Sequence, residues 1–248
     1  MAEIVNAGTR RYERQIGLPE VGTKGQKKLQ QARVAVVGVG GLGSPVSVYL
    51  ACAGIGHLTL IDSDVVDETN LNRQILHWEQ DVGRRKIESA LSKLKAMNSS
   101  IQLIGKDERL DSLNVERLLG GADLIIDCLD NFETRYILNE FAVTSKIPFV
   151  HGACQGFEGR ITTIIPGMTA CLRCLIPEPP PSQKVPVMGM TPGFIAMMQA
   201  NEAVKFFLKH GNLLTNTLFI YDGMTLTFRK IELAQDPDCP CCGKGKKT

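Results

Sequence analysis

Through the first 150 residues, short apolar runs alternate with stretches whose apolar positions recur every three or four residues. R-V-A-V-V-G, H-L-T-L-I-D, I-Q-L-I-G, A-D-L-I-I-D and P-F-V-H-G are short and mostly β-branched or aliphatic, and they predict buried strands. Between them, residues 44–54, 83–97, 112–119 and 131–146 predict helices. This rhythm predicts an α/β fold in which a mostly parallel sheet has helices on both faces and ligands gather at the strands' carboxyl ends. After Gly152 the pattern changes. F-E-G-R-I-T-T-I-I-P predicts a strand, residues 192–210 a helix, and T-L-F-I-Y-D-G-M-T-L-T-F-R-K-I-E-L two strands joined at Asp222 and Gly223. Antiparallel C-terminal strands should therefore extend the sheet. Residues 177–192 hold six of the twelve prolines and predict a loop excluded from sheet and helix.

Composition narrows the picture by exclusion. A net charge of +2 gives no electrostatic surface for nucleic acid, and the basic end K-G-K-K-T has no interleaved aromatic residues. Residues 34–56 lack charge, but six glycines and Pro45 interrupt them, so no membrane helix is expected. The first residues show no secretory signal, which predicts a cytoplasmic protein with reduced cysteines. The four histidines form no metal-ligand spacing and are assigned no role.

The chemistry begins at V-V-G-V-G-G-L-G-S. Gly38, Gly40 and Gly43 fit G-x-G-x-x-G between a strand and a helix, a Rossmann-like arrangement, and Asp62 follows Gly43 by 19 residues. Such glycines can bring N–H groups to a phosphate, with the next helix adding its positive end; the structural alternative is close strand–helix packing. Arg73, in N-L-N-R-Q, would give a polyphosphate a cation, or else be a solvated loop residue. Arg84, Arg85 and Lys86 fall in the first turn of a predicted helix, where the macrodipole disfavours cations. Lys86 borders the buried stripe Ile87, Ala90, Leu91 and Leu94, so it is the candidate phosphate ligand and the two arginines are expected to be exposed. D-L-I-I-D-C-L-D-N puts Asp127 and Asp130 at a strand end, where a carboxylate could hold Mg²⁺ or cap the following helix. Cys128 reads as a small core residue rather than a nucleophile. Cys171 and Cys174 in C-L-R-C, with Cys239 and Cys242 in C-P-C-C, make two C-x-x-C pairs that suit a closed structural Zn²⁺ site, with Cys241 as a competing ligand.

Taken in order, R-Y-E-R-Q-I-G-L, the glycine loop, L-I-D-S-D-V-V-D-E-T-N-L-N-R-Q, Lys86, D-N-F-E-T-R, G-F-E-G-R-I, both cysteine pairs, Q-A-N-E-A-V-K and Y-D-G closely resemble the ThiF/MoeB/HesA family, bacterial relatives of ubiquitin-activating enzymes. The resemblance spans about Arg11 to Gly243. It implies a single adenylation unit: residues 1–32 an N-terminal helical segment, 33–152 the nucleotide-binding half, 153–243 the carrier-binding and zinc half, and 244–248 a basic tail. It implies ATP with Mg²⁺ and adenylation of the C-terminal glycine carboxylate of a ubiquitin-like sulfur-carrier protein ending in Gly-Gly, similar to ThiS or MoaD. Asp62 would hold the ribose; Gly38, Gly40, Gly41, Asn70 and Asn131 would line the nucleotide; Arg73 and Lys86 would neutralise phosphates; Asp130 would hold Mg²⁺. Arg14 would reach the phosphates from the other protomer, which implies a homodimer.

One departure bears on the chemistry. Family members that bond covalently to their carrier keep a cysteine in the loop after the first cysteine pair, and Ser182 stands there. The enzyme is then expected to stop at the adenylate and leave sulfur to a separate donor, and no appended rhodanese domain is expected. The alternatives are a ThiF-like enzyme of another pathway such as tRNA modification, a nucleotide-binding scaffold without catalysis, and an NAD dehydrogenase.

Overall fold

The structure is a computed structural model that describes residues 10–180 and 185–243. Two short helices, α1 (Glu13–Ile16) and α2 (Gly22–Gln31), lead into β1 (Arg33–Val37), α3 (Gly43–Ala53), β2 (His57–Ile61), α4 (Lys86–Met97), β3 (Gln102–Lys106), α5 (Val115–Leu119), β4 (Leu124–Asp127), α6 (Phe132–Ser145) and β5 (Phe149–Gln155). Then follow β6 (Glu158–Ile164), α7 (Leu172–Leu175), α8 (Met190–Leu208), β7 (Thr217–Asp222) and β8 (Thr227–Glu232). All eight strands form one sheet in the order β3-β2-β1-β4-β5-β6-β7-β8. β1 to β5 pair in parallel, and β6 to β8 continue the sheet antiparallel. The order turns back between β1 and β4, so their carboxyl ends form a switch point where a crevice opens.

The continuous apolar strands follow from burial on both faces. Val34 and Val36 of β1 join a core with Leu50, Leu58, Leu94 and Ile195, whereas Ala35 and Val37 face a second core with Leu119, Leu138 and Phe149. α3, α4 and α8 cover the first face, and α5 and α6 the second.

Four expectations change. α4 begins at Lys86 rather than at residue 83: Gly83 N donates to Val66 O and Val66 N to Arg84 O, Arg84 sits in a bend with its N–H on the Asp81 carbonyl, and Arg85 is extended and bridges Val65, so both arginines are held outside the helix. α5 begins at Val115 because Asp111 Oδ1 binds the amides of Leu113 and Asn114 in a turn first. The β7–β8 connection is four residues, with the left-handed position at Leu226 (φ 54°) and not at Gly223. The proline-rich segment is not wholly outside regular structure: Val187 bridges Gly156, and α8 starts at Met190 ahead of Pro192. Ser182 and residues 244–248 lie outside the described residues.

Candidate nucleotide cavity and four-cysteine cluster

A cavity of about 1910 Å³ opens over the carboxyl ends of the parallel strands. Gly38, Gly40 and Gly41 line one wall together with Asp62 and Asn70. Arg73, Lys86, Asp130 and Asn131 line it as well. Arg14 does not. It sits on α1, whose Gln15 donates to the Ala53 carbonyl at the far end of α3, 2.8 Å away. The 11 residues of α3 separate that point from the glycine loop by about 16 Å at 1.5 Å per residue.

The glycines divide between the two roles the sequence left open. Gly38 has φ 91°, and a Cβ there would stand 2.7 Å from the Cys128 carbonyl; one on Gly43 would stand 1.9 Å from the Gly38 carbonyl. These two let β1, β4 and α3 approach closely. Gly40 and Gly41 face the cavity, and among the described residues their N–H groups meet no protein acceptor. α3 starts beside them with no acid in its first turn, so its positive end is uncompensated there.

Asp62 accepts from Val39 N at 2.7 Å on one oxygen and from Asp64 N at 2.8 Å on the other. A carboxylate has about four lone-pair sites, so hydroxyl donors can still be taken. The Lys86 side chain is buried, and its Nζ is 2.8 Å from Asp64 Oδ2, a partner the sequence reading missed. Arg73 is held by the Thr69 carbonyl at 2.8 Å and by Asn72 Oδ1 at 2.9 Å. Its backbone is wedged against the start of α8, since a Cβ at Gly189 would stand 2.3 Å from the Asn72 carbonyl. Gln74, also missed, is buried at the cavity wall with its Oε1 unpartnered. Arg84 pairs with Asp81 at 2.9 Å and Arg85 with Asp107, so neither turns to the cavity.

The strand-end carboxylates also separate. Asn131, not Asp130, caps α6, its Oδ1 accepting from Thr134 N at 2.9 Å. Asp130 is exposed to the cavity and, among the described residues, has only a long contact from Asn131 Nδ2 at 3.5 Å. That donor set, one open carboxylate on the cavity rim, fits Mg²⁺, which keeps several waters and takes few protein ligands. Asp127 is fully buried instead. Its oxygens meet His151 Nδ1 at 2.6 Å, Leu129 N at 3.0 Å and Arg135 Nε at 3.4 Å. Burial, the largest influence, pushes its carboxyl up, and Arg135 and His151 outweigh it to hold it below the ordinary range. Burial likewise lowers His151 and keeps it neutral. Cys128 is a core thiol pushed far up by burial, and Cys154 in the cavity wall is pushed up to about 12, so neither is a nucleophile at neutral pH.

In the second half, the sulfur atoms of Cys171, Cys174, Cys239 and Cys242 all lie within 4.8 Å of one another. The Sγ separations are 4.0 Å for Cys171–Cys174, 3.7 Å for Cys171–Cys239 and 3.4 Å for Cys174–Cys242. Four thiolates around tetrahedral zinc at about 2.3 Å stand about 3.8 Å apart, so the set fits that ion. Cys241 Sγ turns to Asn139 Nδ2 at 3.1 Å, outside the group of four.

The sequence matches the ThiF family over residues 12–241. The chain belongs to the ThiF family. It is 43% identical to a protein of Haloferax volcanii named SAMP-activating enzyme E1, over 95% of this chain and 89% of that protein. It is 40% identical to the sulfur carrier protein adenylyltransferase of Thermus thermophilus, over 94% and 90%. Against the adenylyltransferase and sulfurtransferase MOCS3 of Culex quinquefasciatus the identity is 41%, over 94% of this chain but only 55% of that longer protein. The ThiF-family fold here resembles the crystal structure of E. coli MccB with ATP, with a TM-score of 0.84, 26% identity, and 94% of this chain covered against 74% of that one. No helix among the described residues is long and apolar enough to cross a membrane.

Proposed function

We propose that this protein is an adenylyltransferase that activates the C-terminal glycine carboxylate of a ubiquitin-like sulfur carrier with ATP, releasing pyrophosphate. The observation that carries this reading is one cavity bounded by Gly40 and Gly41, Asp62, Arg73, Lys86 and Asp130, at the switch point of the sheet. A ribose carboxylate alone would suit a dinucleotide. Two cations and an open acid on the same rim suit a triphosphate. The named functions of the Haloferax and Thermus relatives supply the carrier.

The chemistry follows from charge. A carboxylate is a poor electrophile, so its oxygen attacks the α-phosphorus, the bond to the bridging oxygen breaks, and pyrophosphate leaves with the electron pair. The resulting acyl-adenylate carries AMP as a leaving group. Asp62 orients the ribose hydroxyls, while Arg73 and Lys86 offset charge on the phosphates, Lys86 exchanging its Asp64 partner for phosphate oxygens. Mg²⁺ held at Asp130 would screen the triphosphate from the incoming carboxylate. Zn²⁺ at the four cysteines would only tie α7 to the C-terminal segment. Since Arg14 lies at the far end of α3, its reaching phosphate requires a second copy, and a homodimer belongs to this proposal.

The test is carrier-dependent exchange of radiolabelled pyrophosphate into ATP. Arg73→Ala and Lys86→Ala should each lower the exchange rate by ~10²-fold or more, the scale of losing one preorganised charge-stabilising donor. Absence of exchange with every Gly-Gly-ending carrier tried would refute the reading.

A further inference from the structure

Behind the glycine loop runs a chain of buried polar side chains that the mechanism above does not use. Val39, between Gly38 and Gly40, is fully buried. Its N–H donates to Asp62, and its carbonyl accepts from His77 Nε2 at 3.0 Å and from Ser44 Oγ at 3.1 Å. His77 Nδ1 lies 2.9 Å from Ser89 Oγ, and Lys93 Nζ donates to that same oxygen at 2.8 Å. Lys93 pairs with Asp81 and stands 4.5 Å over the Trp78 ring. His77, Ser89, Lys93 and Asp81 are all buried, and none of them lines the cavity.

The proton positions follow. A carbonyl only accepts, so Nε2 carries a proton; in the neutral ring Nδ1 then accepts from the Ser89 hydroxyl, whose oxygen accepts in turn from Lys93. Burial above all, with Lys86 and Lys93 nearby, lowers the ring's pKa against the contrary pull of the Val39 carbonyl and Asp62. A neutral ring with its proton on Nε2 satisfies every member of the chain.

We infer that His77 is a positioning residue for the nucleotide: it fixes the Val39 carbonyl, and with it the direction in which the Gly40 and Gly41 amides face the cavity. Ser89, Lys93 and Asp81 hold it in the tautomer this requires. The inference rests on the nucleotide reading above.

The experiment is calorimetric titration of ATP with Mg²⁺ into the full chain and its His77 variants, with melting temperatures recorded in parallel. Glutamine can place its amide nitrogen where Nε2 lies, whereas asparagine reaches only the Nδ1 position. His77→Ala and His77→Asn should weaken ATP binding ~10-fold, the scale of losing one hydrogen bond's worth of positioning, and His77→Gln should stay within ~3-fold of the parent. A merely structural residue would lower melting temperature without separating the two amides in ATP affinity. Parent-like affinity in all three, equal or reversed effects of Gln and Asn, or affinity losses that only track melting temperature would overturn the inference. Nitrogen NMR of the unmodified protein gives a reading that needs no variant: the Nε2–H tautomer is expected at His77, and the Nδ1–H tautomer overturns the proposal. If the His77 variants fail to fold, Ser89→Ala decides, ~3-fold weaker ATP binding supporting it and unchanged binding overturning it. Failure of the parent protein to bind ATP at all would instead sink the nucleotide reading, and this inference with it.

Discussion

All four residues of β4 are buried, and all six of β8 are exposed. β4 lies mid-sheet between β1 and β5 with helices over both faces, so L-I-I-D can be apolar almost without interruption. β8 has one neighbouring strand, its Phe228 reaches Phe194 of α8 with ring centroids 6.0 Å apart while every residue stays exposed, and T-F-R-K-I-E mixes charge with apolar residues accordingly. The parallel half is therefore held by burial. The antiparallel half relies on α8, which packs on β5, β6 and α3, and on cysteines that join α7 to the chain after β8. The difference teaches that one sheet can draw its stability from two separable sources, and each source can be removed alone.

The largest effect is expected from the cysteines. Cys171→Ser should reduce bound zinc from one ion per chain to none by atomic absorption and cost several kcal/mol in thermal unfolding, because structural zinc adds its binding energy to folding. Hydrogen exchange should speed up around α7 and residues 233–243 while β1 to β5 stay protected. Uniform loss of protection would break the comparison. Leu124→Ala in β4 should cost ~2–5 kcal/mol in urea unfolding, whereas Phe228→Ala in β8 should cost ~1 kcal/mol or less. Equal costs would mean that the edge is packed by something else.

A third measurement sharpens the account of the parallel half. Burial would raise Asp81, but hydrogen bonds from Lys93 and from Trp78 N outweigh it and lower the carboxyl from 3.8 to about 2. A depressed folded pKa stabilises above the unfolded value, so this contribution is present at pH 5 and is lost as pH falls from about 4 towards 2. About 2 kcal/mol should disappear across that window in urea titrations, and Asp81→Asn should flatten the slope. The smallest effect concerns Asn131. As a helix cap its replacement by alanine should cost about 1 kcal/mol, and by glycine only a few tenths. If both variants also lose ATP binding while remaining folded, the side chain contacts nucleotide as well as capping.

The β-α rhythm and the antiparallel extension were legible because strand burial is written into local apolar runs. The cavity's position was legible too, since a glycine-rich turn and a carboxylate at the next strand end mark one crevice whatever surrounds them. What escaped were contacts between distant segments. Arg84 and Arg85 look helical by proximity to Lys86, and pairing with Val65 and Val66 keeps them out of the helix. Lys93 drew no notice in the sequence, because Asp81 and Trp78, which bury its charge, lie outside its own helix. His77 and His151 had no spacing to announce them, because their partners Val39 and Asp127 sit 38 and 24 residues away. Buried polar groups are chosen for their three-dimensional company, which no periodicity encodes.

Gly189 carries a mechanical consequence. With no space for even a methyl group between it and Asn72, the start of the long final helix cannot press inward without displacing the backbone of Arg73, whose side chain borders the crevice. An inward shift of that helix would be transmitted to the Arg73 side of the crevice without passing through the sheet at all.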